Sequence, residues 1–237
     1  MTGLRFLFRV TLRRLDLAQE VYHIREPQTL PLVMSVAEMK RLLSVSSLKT
    51  RVLLSLGYGC GLRASEIVRL KVKHIDKAQK IIRIEQSKGR KDRNVMLPDE
   101  MLGLLRQWWR VRPSRHDAGI PLPERWLFPS RKNAGRPITT RHLNRLFHEA
   151  ADAAGIKKGV TLHTLRHSFA THLLERQIHI RTIQALLGHA KSDTTTRYTH
   201  VAIGMISAVE SPLDQLARVK ERPRKAGRSR KEDQPPA

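Results

Sequence analysis

The sequence predicts an α+β fold that is mainly α-helical, with a small antiparallel sheet at one edge. Three observations carry this expectation. Apolar residues recur at helical spacing on both sides of a central stretch, the period shortens to strand-like alternation between about Val72 and Leu97, and glycines or prolines stand where each pattern stops.

Taken in order, Leu4 to Val21 reads as a helix in which Phe6, Phe8 and Val10 stay apolar between arginines. Ser35-Val36-Ala37-Glu38 is a capping box, in which hydroxyl and carboxylate satisfy the orphan amides of a helix start, and Met39, Leu42 and Leu43 follow at helical spacing. A second apolar helix runs from about Leu48 to Leu56. Gly57, Gly59 and Gly61 are expected to break it before a short helix from Ala64 to Leu70, which leaves Arg63 at the junction. Lys80 to Glu85 and Arg93 to Leu97 then alternate or cluster β-branched residues around the polar turn Ser87 to Asp92, the pattern of a basic hairpin. Pro98 closes it, and Met101, Leu104, Leu105 and Trp108 form the apolar stripe of the next helix. Arg112 to Pro137 reads as a loop, anchored by Trp126, Leu127 and Phe128. Thr139 or Thr140 caps a helix through Ala154, with Gly155 suited to the left-handed position after it. Two more helices follow, Leu162 to about Arg176 and about Ile180 to Leu187, the second ended by Gly188. Past Pro212 the composition turns to Lys, Arg, Pro, Gly and Ser, the signature of a basic tail without a core of its own.

The chain has 237 residues, with 45 Lys and Arg against 21 Asp and Glu, a net charge of +24. So large an excess points to a polyanionic partner, and neutralisation of a phosphate backbone is its commonest cause. Cys60 is the single cysteine. No intrachain disulfide or thiolate-built zinc site can form, and the reducing cytoplasm is the expected compartment. Leu4 to Val10 is interrupted by Arg5 and Arg9 and is far shorter than the ~20 apolar residues a membrane helix needs. It also lacks the features of a secretory signal.

Four islands concentrate functional groups: Gly61-Leu62-Arg63-Ala64-Ser65-Glu66, Ser87-Lys88-Gly89, His163-Thr164-Leu165-Arg166-His167, and Leu187-Gly188-His189 followed by Arg197-Tyr198-Thr199-His200. Each alone has an ordinary reading. Arg63 could be an exposed residue at a helix start, Lys88 a solvated turn, His163 and Arg166 a weak surface pair three apart on a helix, His189 a residue flanking a glycine cap, and Tyr198 a half-buried phenol. Their ordered combination is distinctive.

From about Leu32 to Pro212 the chain resembles the tyrosine recombinases, the lambda-integrase type of site-specific recombinases. The resemblance implies the tyrosine-recombinase catalytic fold, with a three-stranded antiparallel sheet at its edge, and an active site of Arg63, Lys88, His163, Arg166, His189 and Tyr198. It divides the chain into residues 1–31, the remnant of an N-terminal helical DNA-binding domain with its linker; residues 32–212, the catalytic domain; and residues 213–237, a basic tail. It implies strand cleavage and rejoining of double-stranded DNA through a 3′-phosphotyrosyl intermediate, in integration or excision. Arg63 and Arg166 would clamp the scissile phosphate with forked, permanently charged guanidiniums. Lys88 would protonate the departing 5′ oxygen, His163 would assist the tyrosine and His189 would donate to the phosphate. No metal and no other cofactor is called for. A homotetramer on DNA is implied, and Ile203, Met205, Ile206, Val209 and Leu213 have the spacing of an amphipathic helix that would dock on a neighbouring subunit. Arg90, Lys91, Arg93, Arg141 and Arg145 are the candidates for other DNA contacts. Val201 to Pro212 is similar to integrases that travel with mobile elements, and Gln177 stands between two helices where the family often has glycine, so a strained left-handed cap is expected there.

Two rival readings remain. His163 and His167 have the i, i+4 spacing of a zinc-binding pair in a metalloprotease helix, but Thr164 stands where that motif needs a glutamate. The other is an N-terminally truncated relative that binds DNA with little or no recombination, since only about thirty residues precede Pro31. A type IB topoisomerase shares the tyrosine chemistry, but the contexts of Arg63 and His189 are closer to integrases.

Overall fold

The structure, a computed structural model, describes residues 3–20, 31–85, 92–115, 117–133, 135–188, 209–214 and 216. The chain divides into two units, Met1–Pro31 and Leu32–Ala237. In the first, the expected single helix is interrupted. Helix α1 spans Gly3–Phe6, a π-helical turn spans Leu7–Thr11, and α2 spans Leu15–Glu20. The amide of Leu12 donates to the carbonyl of Leu7 at 2.9 Å, and Arg13 takes a left-handed φ of 53°, which a continuous α-helix does not allow.

In the second unit, Ser35 and Glu38 form the expected reciprocal cap at the start of α3, Val36–Val45. Helix α4, Leu48–Gly59, runs through the middle and buries nine of its twelve residues. A helix buried on nearly every side has no polar face to show. That is why its sequence is apolar without a clear stripe. Gly57 and Gly59 do not break it, as the sequence suggested; they let neighbours approach. A Cβ on Gly57 would meet Leu165 at 3.3 Å and one on Gly59 would meet Leu213 at 2.9 Å. The break comes at Gly61, whose φ of +64° is left-handed.

Helix α5, Ala64–Val68, is shorter than expected. The sheet follows, with β1 at Ile75–Asp76, β2 at Ile81–Ile84 and β3 at Arg93–Met96 in antiparallel order β1-β2-β3, Ile82 facing Val95 and Ile84 facing Arg93. Helix α6, Asp99–Val111, carries Met101, Leu105 and Trp108 into the core. The connection after it is held by burial of Leu127 and Phe128, with the Trp108 indole donating to the Leu127 carbonyl at 2.8 Å. Helix α7, Thr140–Ala153, is capped by Thr139, and Gly155 beyond it has a φ of +65°. Helices α8, Leu162–Glu175, and α9, Ile180–Leu187, meet around Phe169, Leu173, Ile183 and Leu186. Gln177 is left-handed at φ 60°, the strained position the sequence marked.

Two features depart from expectation at the C-terminal side. The Ser211 hydroxyl donates to the Gly59 carbonyl at 2.8 Å, and Leu213 and Leu216 are buried in the main core. The packed body therefore extends past the boundary placed at Pro212, and Leu213 seals its own subunit against Gly59 instead of facing a neighbour. Ile203, Met205 and Ile206 lie outside the described residues. Cys60, at the end of α4, is fully buried, and burial pushes its thiol pKa far above the usual range. Among the described residues, no helix is long and apolar enough to cross a membrane.

Candidate active site

The left-handed turn at Gly61 is the first positioning device. A Cβ there would stand 2.7 Å from the Phe169 ring, so both its conformation and its space require glycine. The turn brings Arg63 to the N-cap of α5 and turns the Gly61 carbonyl onto Arg166, which donates to it through Nη1 at 2.6 Å. Arg166 also donates through Nη2 to the carbonyl of Leu187, next to the left-handed Gly188 at the end of α9. Two of the five guanidinium N–H groups are thus fixed by backbone.

His163 and Arg166 share one face of α8, being three residues apart. With Arg63 they line one cleft of about 440 Å³, whose other walls are Leu62, Ala64, Thr140, Arg141, Asn144, Thr161 and Leu162. Three of the six expected catalytic residues are therefore brought together from α5 and α8. Lys88, His189 and Tyr198 lie outside the described residues, as do Arg90 and Lys91.

The sequence reading gave Glu66 no role, and it organises the site. Its Oε2 accepts the Arg63 amide at 2.8 Å and its Oε1 accepts Arg63 Nη1 at 2.9 Å. Arg93, on β3, donates to both oxygens, at 2.6 Å to Oε1 and 2.8 Å to Oε2. One carboxylate thus ties α5 to the strand leaving the hairpin. Burial opposes its ionisation, but the bonds and charge of Arg93 and the bonds from Arg63 prevail, and its pKa is held down at about 2. The signal was legible: Arg63-x-x-Glu66 places a glutamate at the third helical position, where it reaches back to the cap.

Arg93 was expected on the DNA surface. Its side chain is 8% exposed and is engaged by Glu66, and its stem fills the space a Cβ on Gly188 would need, 2.6 Å away. Arg141 and Arg145 are exposed on α7, Arg141 at the cleft.

Arg166 is 4% exposed, and burial first, then Arg63 and Arg93, push its pKa down to about 9, with Glu66 opposing. It stays charged at neutral pH in surroundings that favour an incoming anion. The His163 and His167 rings meet edge to face at 4.7 Å, and among the described residues no group of three His, Cys, Asp or Glu could hold a metal ion.

Residues 31–204 match the Phage integrase family. The chain belongs to that family of tyrosine recombinases. It is similar to an integrase/recombinase of Escherichia coli, 36% identical over 229 residues, covering 84% of this chain and 68% of the relative. It is similar also to the tyrosine recombinase XerA of Pyrococcus furiosus, 37% identical over 187 residues, covering 78% of this chain and 62% of that one. Among solved structures, the XerH site-specific recombinase bound to its difH substrate in a pre-cleavage complex aligns with a TM-score of 0.58 and 27% identity, over 76% of this chain and 54% of that chain. The expected catalytic fold, helical with its three-stranded sheet, is the one observed.

Proposed function

We propose that this protein is a site-specific DNA recombinase that cuts and rejoins DNA through Tyr198. The observation that carries the reading is the convergence of Arg63, His163 and Arg166 on one cleft, with Arg166 oriented by two carbonyls and Arg63 by Glu66. Two guanidiniums fixed in this way meet the charge that develops on a phosphodiester during attack, and being prearranged they need no reorganisation as it forms. The +24 charge and the DNA-bound state of the XerH relative support DNA as the partner.

In this mechanism the Tyr198 oxygen forms a bond to phosphorus and gives up its proton, with His163 assisting; the bond to the 5′ oxygen breaks, and that oxygen takes a proton from Lys88. His189 donates to a non-bridging oxygen. The 3′-phosphotyrosyl ester keeps the energy of the broken bond, so a 5′ hydroxyl from a second duplex reverses the step and exchanges the strands. Exchange between two duplexes calls for four tyrosines, hence a homotetramer on DNA acting in the cytoplasm, in the integration or excision of a mobile element. Nothing in the arrangement of Arg63, His163, Arg166 and Glu66 favours the alternative of a DNA-binding relative without recombination.

The test is capture of covalent adducts on nicked suicide duplexes, with the attached DNA sequenced. Tyr198→Phe keeps DNA binding and forms no adduct. Lys88→Ala slows cleavage, and replacing the bridging 5′ oxygen with sulfur, which leaves without a proton, restores it for Lys88→Ala alone. Failure of sulfur to rescue Lys88→Ala would move the general-acid role to His163.

A further inference from the structure

A second cationic cluster lies on the neighbouring face of α7, and its hydrogen bonding does not close. Lys49 Nζ stands 3.1 Å from Nε2 of His142, and Arg145 Nη2 stands 3.1 Å from Nδ1 of the same ring. An ammonium and a guanidinium only donate, whereas a neutral imidazole accepts at one nitrogen alone. One contact therefore sets donor against donor, and protonating the ring sets both so. Among the described residues no carboxylate lies within ion-pair distance of Lys49. Glu149 reaches Arg145 alone, at 3.5 Å on an exposed helix face, where such pairs are weak.

The placement also runs against helix electrostatics. Lys49 is the second residue of α4, and Arg141 and His142 are the second and third of α7, with no acidic residue in either first turn. Cations at the positive end of a helix are unfavourable, because they meet the partial positive charge of its unpaired amides. An anion seated among them would reverse that sign and supply the missing acceptor.

We infer that Lys49, His142 and Arg145 form a seat for one phosphate of the DNA backbone, beside the reaction cleft and separate from it. The inference rests on the reading of DNA as substrate and adds a contact that fixes the duplex relative to Arg141 and Asn144, which line the cleft from the same helix. Arg131 contributes charge from the preceding loop. Burial, then Arg131 and Arg145, lower the Lys49 pKa; burial, then Lys49 and Arg145, lower that of His142, which Glu149 alone raises. A phosphate removes part of both penalties, so seating it draws a proton onto His142.

The full-length protein is measured for duplex affinity across salt concentration and pH, as wild type, Lys49→Met, Arg145→Gln and His142→Gln, with thermal melting to verify folding. Losing one phosphate contact reduces the slope of log affinity against log salt by about one for Lys49→Met, equally for every duplex sequence. Wild-type affinity rises as pH falls from 7.5 to 5.5 more steeply than that of His142→Gln. In the second arm, inorganic phosphate and a short duplex are titrated separately while the His142 ring resonance is followed. A shift with duplex supports the seat. A shift with inorganic phosphate alone makes it a free-anion site and overturns the DNA assignment. Unchanged slopes in folded Lys49→Met and Arg145→Gln overturn the seat while leaving the recombinase reading intact. Absence of wild-type DNA binding overturns that reading itself.

Discussion

Two groups of cations sit on adjoining parts of this molecule, and they are treated in opposite ways. Around the cleft, Arg63 and Arg93 share the buried carboxylate of Glu66, while Arg166 is pinned by carbonyls from two glycine-governed turns. Beside them, Lys49 at the start of α4 and Arg145 on α7 flank the His142 ring, which when neutral can accept from one of them alone. Catalysis needs guanidiniums held in one geometry before the substrate arrives, and a buried carboxylate provides that at the cost of part of their positive charge. A backbone phosphate is instead gripped wherever it falls, and there the field is opposed weakly, by exposed Glu149 at 3.5 Å from Arg145. The first cluster is built for position and the second for potential.

The largest effect expected from this contrast is on chemistry at the first cluster. Arg166→Lys keeps a charge but cannot reach the carbonyls of Gly61 and Leu187 as a fork. Adduct formation on suicide duplexes should fall roughly 10²–10³-fold, as for the removal of one preorganised donor, while duplex affinity changes only a few-fold. Equal losses in cleavage and binding would show that Arg166 serves to hold DNA.

Next is stability. Glu66→Gln removes the carboxylate that meets buried Arg93 through both of its oxygens, and urea unfolding should show a loss of about 3 kcal/mol. Because the folded pKa of Glu66 is about 2, below its ordinary value of 4.5, its carboxylate stabilises fully above that ordinary value. The contribution is lost as pH falls from about 4.5 to about 2. Glu66→Gln should flatten the acid limb of the stability profile over that interval, and an unchanged limb would place the acid sensitivity elsewhere.

The smallest effect has the opposite sign. Lys49→Met removes a cation from the start of α4 and should raise stability by about 0.5 kcal/mol in the absence of DNA, read from the same denaturation curves. A loss in place of that gain would mean that Lys49 is structural and that the two clusters are alike.

Much of this architecture was legible in the sequence because the signals were local. Ser35 with Glu38, Thr139, Gly155 and Gly188 announce helix ends by chemistry acting within a few residues, and each stands where it was expected. The misreadings came from tertiary contacts. Gly57 and Gly59 look like breakers until Leu165 and Leu213, far away in sequence, are seen to need the space. Arg93, basic and next to a polar turn, reads as surface until Glu66 reaches it from α5. Leu213 reads as the edge of an amphipathic docking helix, and only the fold shows Ser211 fastening that stretch to α4. In the site, Arg63, His163 and Arg166 were recognisable from their ordered motifs, whereas Glu66 needed the question of what holds an arginine still.

The burial of Cys60 has a practical corollary. A thiol reacts as its thiolate, and one enclosed at the end of α4 with a raised pKa is silent towards alkylating reagents while the protein stays closed. It is also the only sulfhydryl in the chain. A cysteine placed anywhere on the surface can then carry a fluorophore without background, and the slow labelling that remains at position 60 becomes a clock for how often the centre of the molecule opens, with and without DNA.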